Sequence, residues 1–201
     1  QSDGSLWVWG SNQSGELALN TAVGSSYSTP VQVGYDNTWK QVFANQQVGG
    51  QFSLFLRKDG TLWASGSNAY GGLGVSDTSN RSSPTQVLSG NYVSVAAGMS
   101  YSFAIDNTGK IFSWGRNNVG QLGILSTVDR SSPVQVSGSW QAVQAMDSCA
   151  YAIGTYNRVY AAGSNISGQL GLNYNGGNAS IFTQIPGIEY INLAQVGSAS
   201  R

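Results

Sequence analysis

The motif Asn-x-x-Gly-x-Leu occurs four times along this 201-residue chain and constrains the fold more than any other feature. Its copies lie in WGSNQSGELAL, SGSNAYGGLGV, WGRNNVGQLGI and AGSNISGQLGL, which begin at residues 9, 65, 114 and 162. Successive copies are therefore separated by 56, 49 and 48 residues. An internal period of this size is typical of solenoids, propellers and other repeat arrays.

Two further markers follow each copy of the motif in a fixed order. The first reads TPVQV at 29–33, SPTQV at 83–87, SPVQV at 132–136 and, in degenerate form, IFTQI at 181–185. The second reads WKQVFA at 39–44, YVSVAA at 92–97, WQAVQA at 140–145 and YINLAQ at 190–195. Runs of Val, Ile, Phe, Tyr and Trp alternate with Gly, Asn and Asp, which is typical of strands joined by hairpin turns. No stretch keeps the period of a helix.

These patterns predict an all-β protein, a β-propeller built from about four four-stranded blades of ~50 residues each. The whole chain, 1–201, is interpreted as a single repeat domain. Its approximate units are 4–59, 60–108, 109–156 and 157–201, of which the last is truncated.

Each copy of the motif is predicted to form the same structural turn. A strand ends at a first glycine, the asparagine hydrogen-bonds its own downstream backbone in an Asx-type turn, and a second glycine supplies a positive φ. The leucine then returns to the core. The turn residues are Gly10, Asn12, Gly15, Gly66, Asn68, Gly71, Gly115, Asn117, Gly120, Gly163, Asn165 and Gly168. Pro30, Pro84 and Pro133 have no N–H to donate and are predicted at the start of an edge strand.

The segments GKIFSWGRNNVGQLG (109–123) and GTLWASGSNAYGGLG (60–74) resemble the regulator-of-chromosome-condensation repeat, and the resemblance extends over essentially the whole chain. That family forms seven-bladed propellers, which at ~50 residues a blade need about 350 residues. The chain also starts just after one expected strand and stops where another should begin. The resemblance therefore implies part of a larger, seven-bladed ring, or an arc completed by another chain.

The composition disfavours several classes of function. Only 9% of the residues are charged, nine basic side chains balance nine acidic ones, and neither sign forms a run. Nucleic acid and anionic membranes are therefore not expected as partners, and no apolar run is long enough to span a membrane. The chain has no histidine and one cysteine, Cys149, which is interpreted as a small buried residue. No P-loop and no evident carboxylate pair is present, so we predict no catalytic residue, no metal site and no cofactor.

Binding residues are predicted in the variable loops between the motif and the first marker. These loops span 21–28, 76–83, 125–132 and 173–180, and a rigid propeller can present such irregular backbone to a partner. The candidates are Tyr27, Arg81, Arg130 and Tyr174. The regularly spaced Trp39, Tyr92, Trp140 and Tyr190 could instead form a stacking set for a sugar or peptide, but their recurrence favours packing between blades.

Three functions follow, in order of preference. The first is a non-catalytic binding or structural module of an extracellular or virion assembly, such as a phage fibre or capsid decoration. It is suggested by the neutral, Ser-, Asn-, Gln- and Gly-rich surface, and its partners would be other protein chains, possibly copies of itself. The second, implied by the resemblance, is a regulatory propeller that engages a small GTPase or another intracellular protein. The family often has His in a G-x-x-H-S pattern, where this chain has Phe52, Tyr101 and Cys149. A lyase or glycosidase ranks last.

Overall fold

The computed structural model describes residues 3–21, 23–45, 51–87 and 90–189. The secondary structure of this part consists of strands and one 3-10 turn, Thr155–Asn157, which confirms the all-β prediction. The strands are β1 (Trp7–Asn12), β2 (Ser25–Gln32), β3 (Trp39–Asn45), β4 (Phe52–Arg57), β5 (Leu62–Gly66), β6 (Arg81–Gln86), β7 (Tyr92–Gly98), β8 (Tyr101–Asp106), β9 (Ile111–Gly115), β10 (Arg130–Gln135), β11 (Trp140–Ala145), β12 (Cys149–Gly154), β13 (Arg158–Gly163) and β14 (Ala179–Glu189). In the same residues, no helix is long and apolar enough to cross a membrane.

The strands form a series of antiparallel meanders. Sheet 1 contains β1 and β2, sheet 2 contains β3 to β6, sheet 3 contains β7 to β10 and sheet 4 contains β11 to β14. The unit boundaries at 59/60 and 108/109 fall in the hairpin turns between the second and third strands of sheets 2 and 3. Each sheet therefore combines the second half of one sequence unit with the first half of the next.

The hydrophobic core lies between neighbouring sheets. Tyr92 is buried in one cluster with Leu62 and Leu73 of the preceding sheet, as expected for packing between blades. Trp140 is likewise buried in one cluster with Ile111 and Val136 of the preceding sheet. Trp39 is also buried, so packing rather than ligand stacking is confirmed for these three aromatic residues. The fourth, Tyr190, lies outside the described residues, as does the marker at 190–195.

The repeated asparagine closes its turn with one hydrogen bond that is the same in every copy. The backbone N–H of the leucine donates to the asparagine Oδ1 over 3.0 Å at Leu17–Asn12, Leu73–Asn68, Leu122–Asn117 and Leu170–Asn165. This bond spans five residues, whereas the expected Asx-type turn spans two. Two consecutive backbone turns account for the difference: in the third copy Gly120 N–H donates to Asn117 O and Gly123 N–H to Gly120 O, at 2.9 and 3.0 Å.

The same asparagine also ties the two ends of the following loop together. Asn117 Nδ2 donates to the carbonyl oxygens of Ser126 and Val128, at 2.8 and 3.1 Å. The corresponding amides of Asn68 and Asn165 donate to Asp77 O and Tyr174 O, at 2.9 and 2.7 Å. All of these asparagines are buried, and a buried amide with its partners in place holds a loop rigidly.

The closed turn packs directly on the outer strand of the next sheet. Gly120 has φ +80°, and a Cβ at this position would lie 2.5 Å from Ser180 Cα. Gly15 and Gly71 approach Ser82 and Ser131 in the same way, with a Cβ that would lie 2.7 and 2.5 Å from the serine Cα. The motif therefore requires glycine for space as well as for its backbone angle.

The prolines lie on edge strands, as predicted, but not at the strand starts. β6 pairs only with β5, and its register shifts between the pairs Ala64–Thr85 and Gly66–Arg81. Pro84 lies within this irregular stretch, where the broken ladder does not need an N–H. Pro133 occupies the same place on β10 and Pro30 on β2.

Replacing Asn117 by Ala is expected to destabilise the protein by about 2–4 kcal/mol, because the buried Leu122 N–H and two loop carbonyls lose their partner. Urea unfolding measures this change. Asn107, in the hairpin turn before β9, is exposed, so Asn107→Ala is the matched control and should change the free energy of unfolding by less than about 0.5 kcal/mol. Equal losses for the two variants would contradict the role assigned to the turn asparagine.

Candidate functional site

The loops between the third and fourth strands emerge at one end of the sheets. Connections of an antiparallel meander alternate between its two ends. The loops 67–80, 116–129 and 164–178 therefore share an end with the loops between first and second strands. We call this end the loop face. The hairpin turns between second and third strands lie at the opposite end.

The four predicted binding residues lie on four different sheets, one residue on each sheet. Tyr27 lies within β2, and its hydroxyl is 2.9 Å from Thr21 Oγ1. Tyr174 lies in the loop before β14 with its side chain half exposed. Each of these side chains belongs to its own loop.

Arg81 and Arg130 differ in the partners of their guanidinium groups. Arg81 forms an ion pair with Asp77, with Nη2 and Oδ2 2.5 Å apart, and donates a second hydrogen bond to Ser79 O. The Ser79 backbone N–H and the Arg81 guanidinium hold the pKa of Asp77 below its usual value. Among the described residues, the Arg130 guanidinium donates one hydrogen bond, to Asp129 O at 3.4 Å. The Arg81 guanidinium is therefore bound within its own loop. The sequence did not indicate this difference, because Arg81 and Arg130 occupy matching positions.

The residue before each arginine has a role that the sequence reasoning missed. Asn80 Oδ1 accepts the backbone N–H of Asn68 at 2.9 Å, and Asp129 Oδ1 accepts that of Asn117 at 2.7 Å. Both acceptors come twelve residues after the asparagine that they bind. This constant spacing in the sequence could have identified them as its partners. These contacts close the loop from its outer end.

Leu125 is the least expected residue of the loop face. Its φ is +55°, and the aligned positions Asn20, Ser76 and Asn173 also have a positive φ, between +54° and +69°. A left-handed backbone costs a residue with a Cβ about 1–2 kcal/mol, and asparagine tolerates it best. The Leu125 side chain is nevertheless 75% exposed, so its own burial does not offset this cost.

Leu125 belongs to a group of exposed apolar side chains that we call the apolar patch, defined as Leu125, Val128 and Ile181. Val128 is 60% and Ile181 47% exposed. A β-bridge between Ile124 and Ile181 joins the loop of sheet 3 to the outer strand of sheet 4 at this place. At the seam between sheets 2 and 3, the equivalent residues Ser76 and Ser132 are polar, and their hydroxyls lie 3.2 Å apart.

The titratable groups of the interior serve the structure. Cys149 is buried, and burial raises the pKa of its thiol, so the reactive thiolate is disfavoured. The buried Tyr101 hydroxyl donates to Cys149 O at 2.6 Å and accepts the Met146 backbone N–H at 3.2 Å. Within residues 3–21, 23–45, 51–87 and 90–189, no three His, Cys, Asp or Glu side chains gather in a metal-binding group.

A groove of about 570 Å³ lies along β1 and β3 and is lined by Trp7, Trp9 and Trp39, among others. Trp9 is 62% exposed and aligns with Trp114, which is fully buried and donates its indole N–H to Gly72 O of the preceding sheet at 2.8 Å. Trp9 therefore stands where the repeat pattern packs one sheet on another. We interpret the groove as a sheet-packing surface.

Comparison with known families identifies the repeat. A model described as "Regulator of chromosome condensation (RCC1) repeat" matches residues 59–105 and 108–149. A second RCC1 repeat model matches residues 40–71 and 92–121. Together the two models span residues 40–149, more than half of the chain.

Solved structures share the fold. Human WBSCR16 superposes with a TM-score of 0.76 at 23% identity, over 90% of this chain and 47% of that one. Yeast RCC1 (Prp20), solved with Kap60, gives a TM-score of 0.76 at 22% identity, over 96% and 46% of the two chains. Prp20p from Saccharomyces cerevisiae gives 0.75 at 21% identity, over 95% and 47%. This chain spans about half the length of each structure.

Replacing Leu125 by Asn should stabilise the protein by about 0.5–1 kcal/mol, because asparagine relieves the left-handed backbone and Leu125 loses little burial. Thermal and urea unfolding measure the effect. Leu125→Ala removes the same apolar surface but keeps an ordinary Cβ, and should not stabilise. A loss of stability in the Asn variant would show that Leu125 packs on its own chain.

Proposed function

We propose that this chain, which belongs to the regulator of chromosome condensation (RCC1) repeat family, is a non-catalytic β-propeller module that binds a protein partner through its loop face. The observation that carries the proposal is Leu125, a large apolar side chain held in an unfavourable backbone conformation and exposed to solvent. Strain of this kind concentrates at functional positions, where binding offsets its cost.

The surroundings of Leu125 support a protein ligand. Leu125 and Val128 of the apolar patch lie on a loop that the buried Asn117 amide holds in place, and Ile181 lies on the adjoining strand β14. A rigid apolar surface loses little conformational entropy on binding, which favours a specific protein contact. The net charge of zero and the lack of a basic run argue against nucleic acid as the ligand.

The solved relatives favour an intracellular regulatory partner over an assembly of the virion or cell surface. Yeast RCC1 (Prp20) was solved bound to Kap60, and Prp20p was studied for its binding to Gsp1p and histones. By analogy of fold, the regulatory propeller that engages a small GTPase or another intracellular protein is the preferred form of this proposal. The extracellular or virion location, and assembly with copies of itself, stay predictions of the composition.

The proposal is tested by selecting peptides from a displayed random library on the intact chain. Selected peptides are then measured against the double variant Leu125→Asn/Val128→Ser and against Tyr35→Ser. Tyr35 is 97% exposed but lies between β2 and β3, at the end opposite to the loop face, so it is the matched control for loss of an apolar surface residue. Binding should weaken by about tenfold or more in the double variant and stay unchanged in the control.

Peptides that bind the double variant as tightly as the wild type would overturn the proposal, as would a selection that recovers no binder. A purified small GTPase is the first folded partner to measure with the same variants. Binding that the double variant loses would support the regulatory function, and binding that it retains would exclude the loop face as the site.

A further inference from the structure

We infer that Arg116 and Tyr70 form a receptor for one carboxylate side chain of the protein partner. The inference rests on the proposed function, because it names the chemistry that the loop face recognises. Arg116 is the first residue after β9 and precedes Asn117, whose amide binds Val128 O of the apolar patch. Arg116 therefore belongs to the same loop as Leu125 and Val128 of the apolar patch.

The fold does not need an arginine at this position. Ser11, Ser67 and Ser164 occupy the aligned positions of the other copies. The backbone N–H of Arg116 donates to Ser100 O at 2.9 Å, and Ser164 N–H makes the same bond to Ser148 O at 2.9 Å. Since serine completes the turn equally well, the arginine side chain is an addition to the common structure.

The Arg116 guanidinium is held in place without an acidic partner. Its Cζ lies 4.9 Å from the centroid of the Tyr70 ring, which belongs to the neighbouring sheet, and Nη1 lies 3.9 Å from Met99 Sδ. The ion pairs found in the described part of the chain are Arg57–Asp36 and Arg81–Asp77, and neither includes Arg116. A sulfur is a weak acceptor, so most of the guanidinium donors have no hydrogen-bond partner among the described residues and can bind a ligand.

This geometry suits a carboxylate. A guanidinium carries its N–H groups in its own plane, and two of them can bind both oxygens of a carboxylate at once. The contact with the Tyr70 ring restricts the orientation of the guanidinium before the partner arrives. Arg and Tyr are also the residue types that contribute most to protein interfaces.

A carboxylate from a protein fits the surroundings better than a phosphate. Met99 is half buried and Tyr70 38% exposed, so the cation is bordered by apolar and aromatic surface. Nucleic-acid binding draws its affinity from several phosphate contacts, whereas this site supplies one stacked cation on a chain of zero net charge. The expected ligand is therefore an Asp or Glu flanked by apolar residues.

The test is a double-mutant cycle between this arginine and an acidic residue of the selected peptides. The protein variants are Arg116→Gln and, as the matched control, Arg158→Gln, which removes the same charge from an exposed residue at the end opposite to the loop face. Each peptide is measured with its acidic residue and with the corresponding amide, Asp→Asn or Glu→Gln. Thermal unfolding of both variants verifies that the fold is kept.

We expect Arg116→Gln to weaken binding about tenfold, and the amide peptide to bind wild type about tenfold more weakly, with no further loss when both changes are combined. Arg158→Gln should leave the affinity unchanged. Additive losses, or selected peptides without an acidic residue, would overturn the inference. If the selected peptides bind the double variant Leu125→Asn/Val128→Ser more weakly than the wild type, the proposed function is still supported. In that case only the carboxylate receptor is refuted.

Discussion

The hydrogen bond from the leucine N–H to the asparagine Oδ1 is the interaction on which the rest of the structure depends. It closes each copy of the turn in the same way, and the closed turn places its glycine against the next sheet. The Cβ that Gly120 lacks would overlap Ser180 of sheet 4. A local bond between residues five positions apart thereby determines how successive sheets stack, which is why the motif recurs once per sheet. A repeat protein is stable only if each unit packs on its neighbour, and this turn supplies that contact.

Comparison of the four copies of the motif distinguishes structural positions from functional ones. Where the copies agree, the residues close the turn and pack the core. Where they differ, the backbone is already satisfied and the side chain can vary, as with Arg116 among serines and Leu125 beside asparagines and a serine. Arg116 and Leu125 lie on the same loop of sheet 3. The proposed binding surface is thus built from departures within one repeat, on a loop that the buried Asn117 holds rigid.

The fold could be predicted from the sequence because its signals are local and repeated. Strands, hairpin turns, the inward leucines and the packing of Trp39, Tyr92 and Trp140 all follow from spacing and residue type. The five-residue reach of Asn117 and the placement of Pro84 in an irregular edge strand were not predicted, because both depend on how two segments meet in space. The unit boundaries taken from the sequence follow the repeat but do not coincide with the ends of the sheets. They fall in the hairpin turn between the second and third strands, so each sheet contains parts of two units.

The candidate site was less predictable, because exposure and pairing depend on neighbouring sheets. Arg81 looked equivalent to Arg130, yet only Arg81 has an aspartate four residues earlier to bind. Leu125 and Val128 looked like ordinary loop residues, and only the left-handed backbone and the solvent exposure of Leu125 distinguish it.

The most direct test of the account compares Gly120→Ala with Gly168→Ala by urea unfolding. Both glycines occupy the same place in the turn, with φ +80° and +75°, but the nearest described atom to a Cβ at Gly168 is Asn175 Cβ at 3.9 Å. The change in backbone preference is therefore common to both variants, about 1 kcal/mol. If the turn packs the sheets together, Gly120→Ala should lose at least about 1–3 kcal/mol more than Gly168→Ala, because it alone forces the sheets apart. Equal losses would contradict the claim that this turn sets the packing of one sheet on the next.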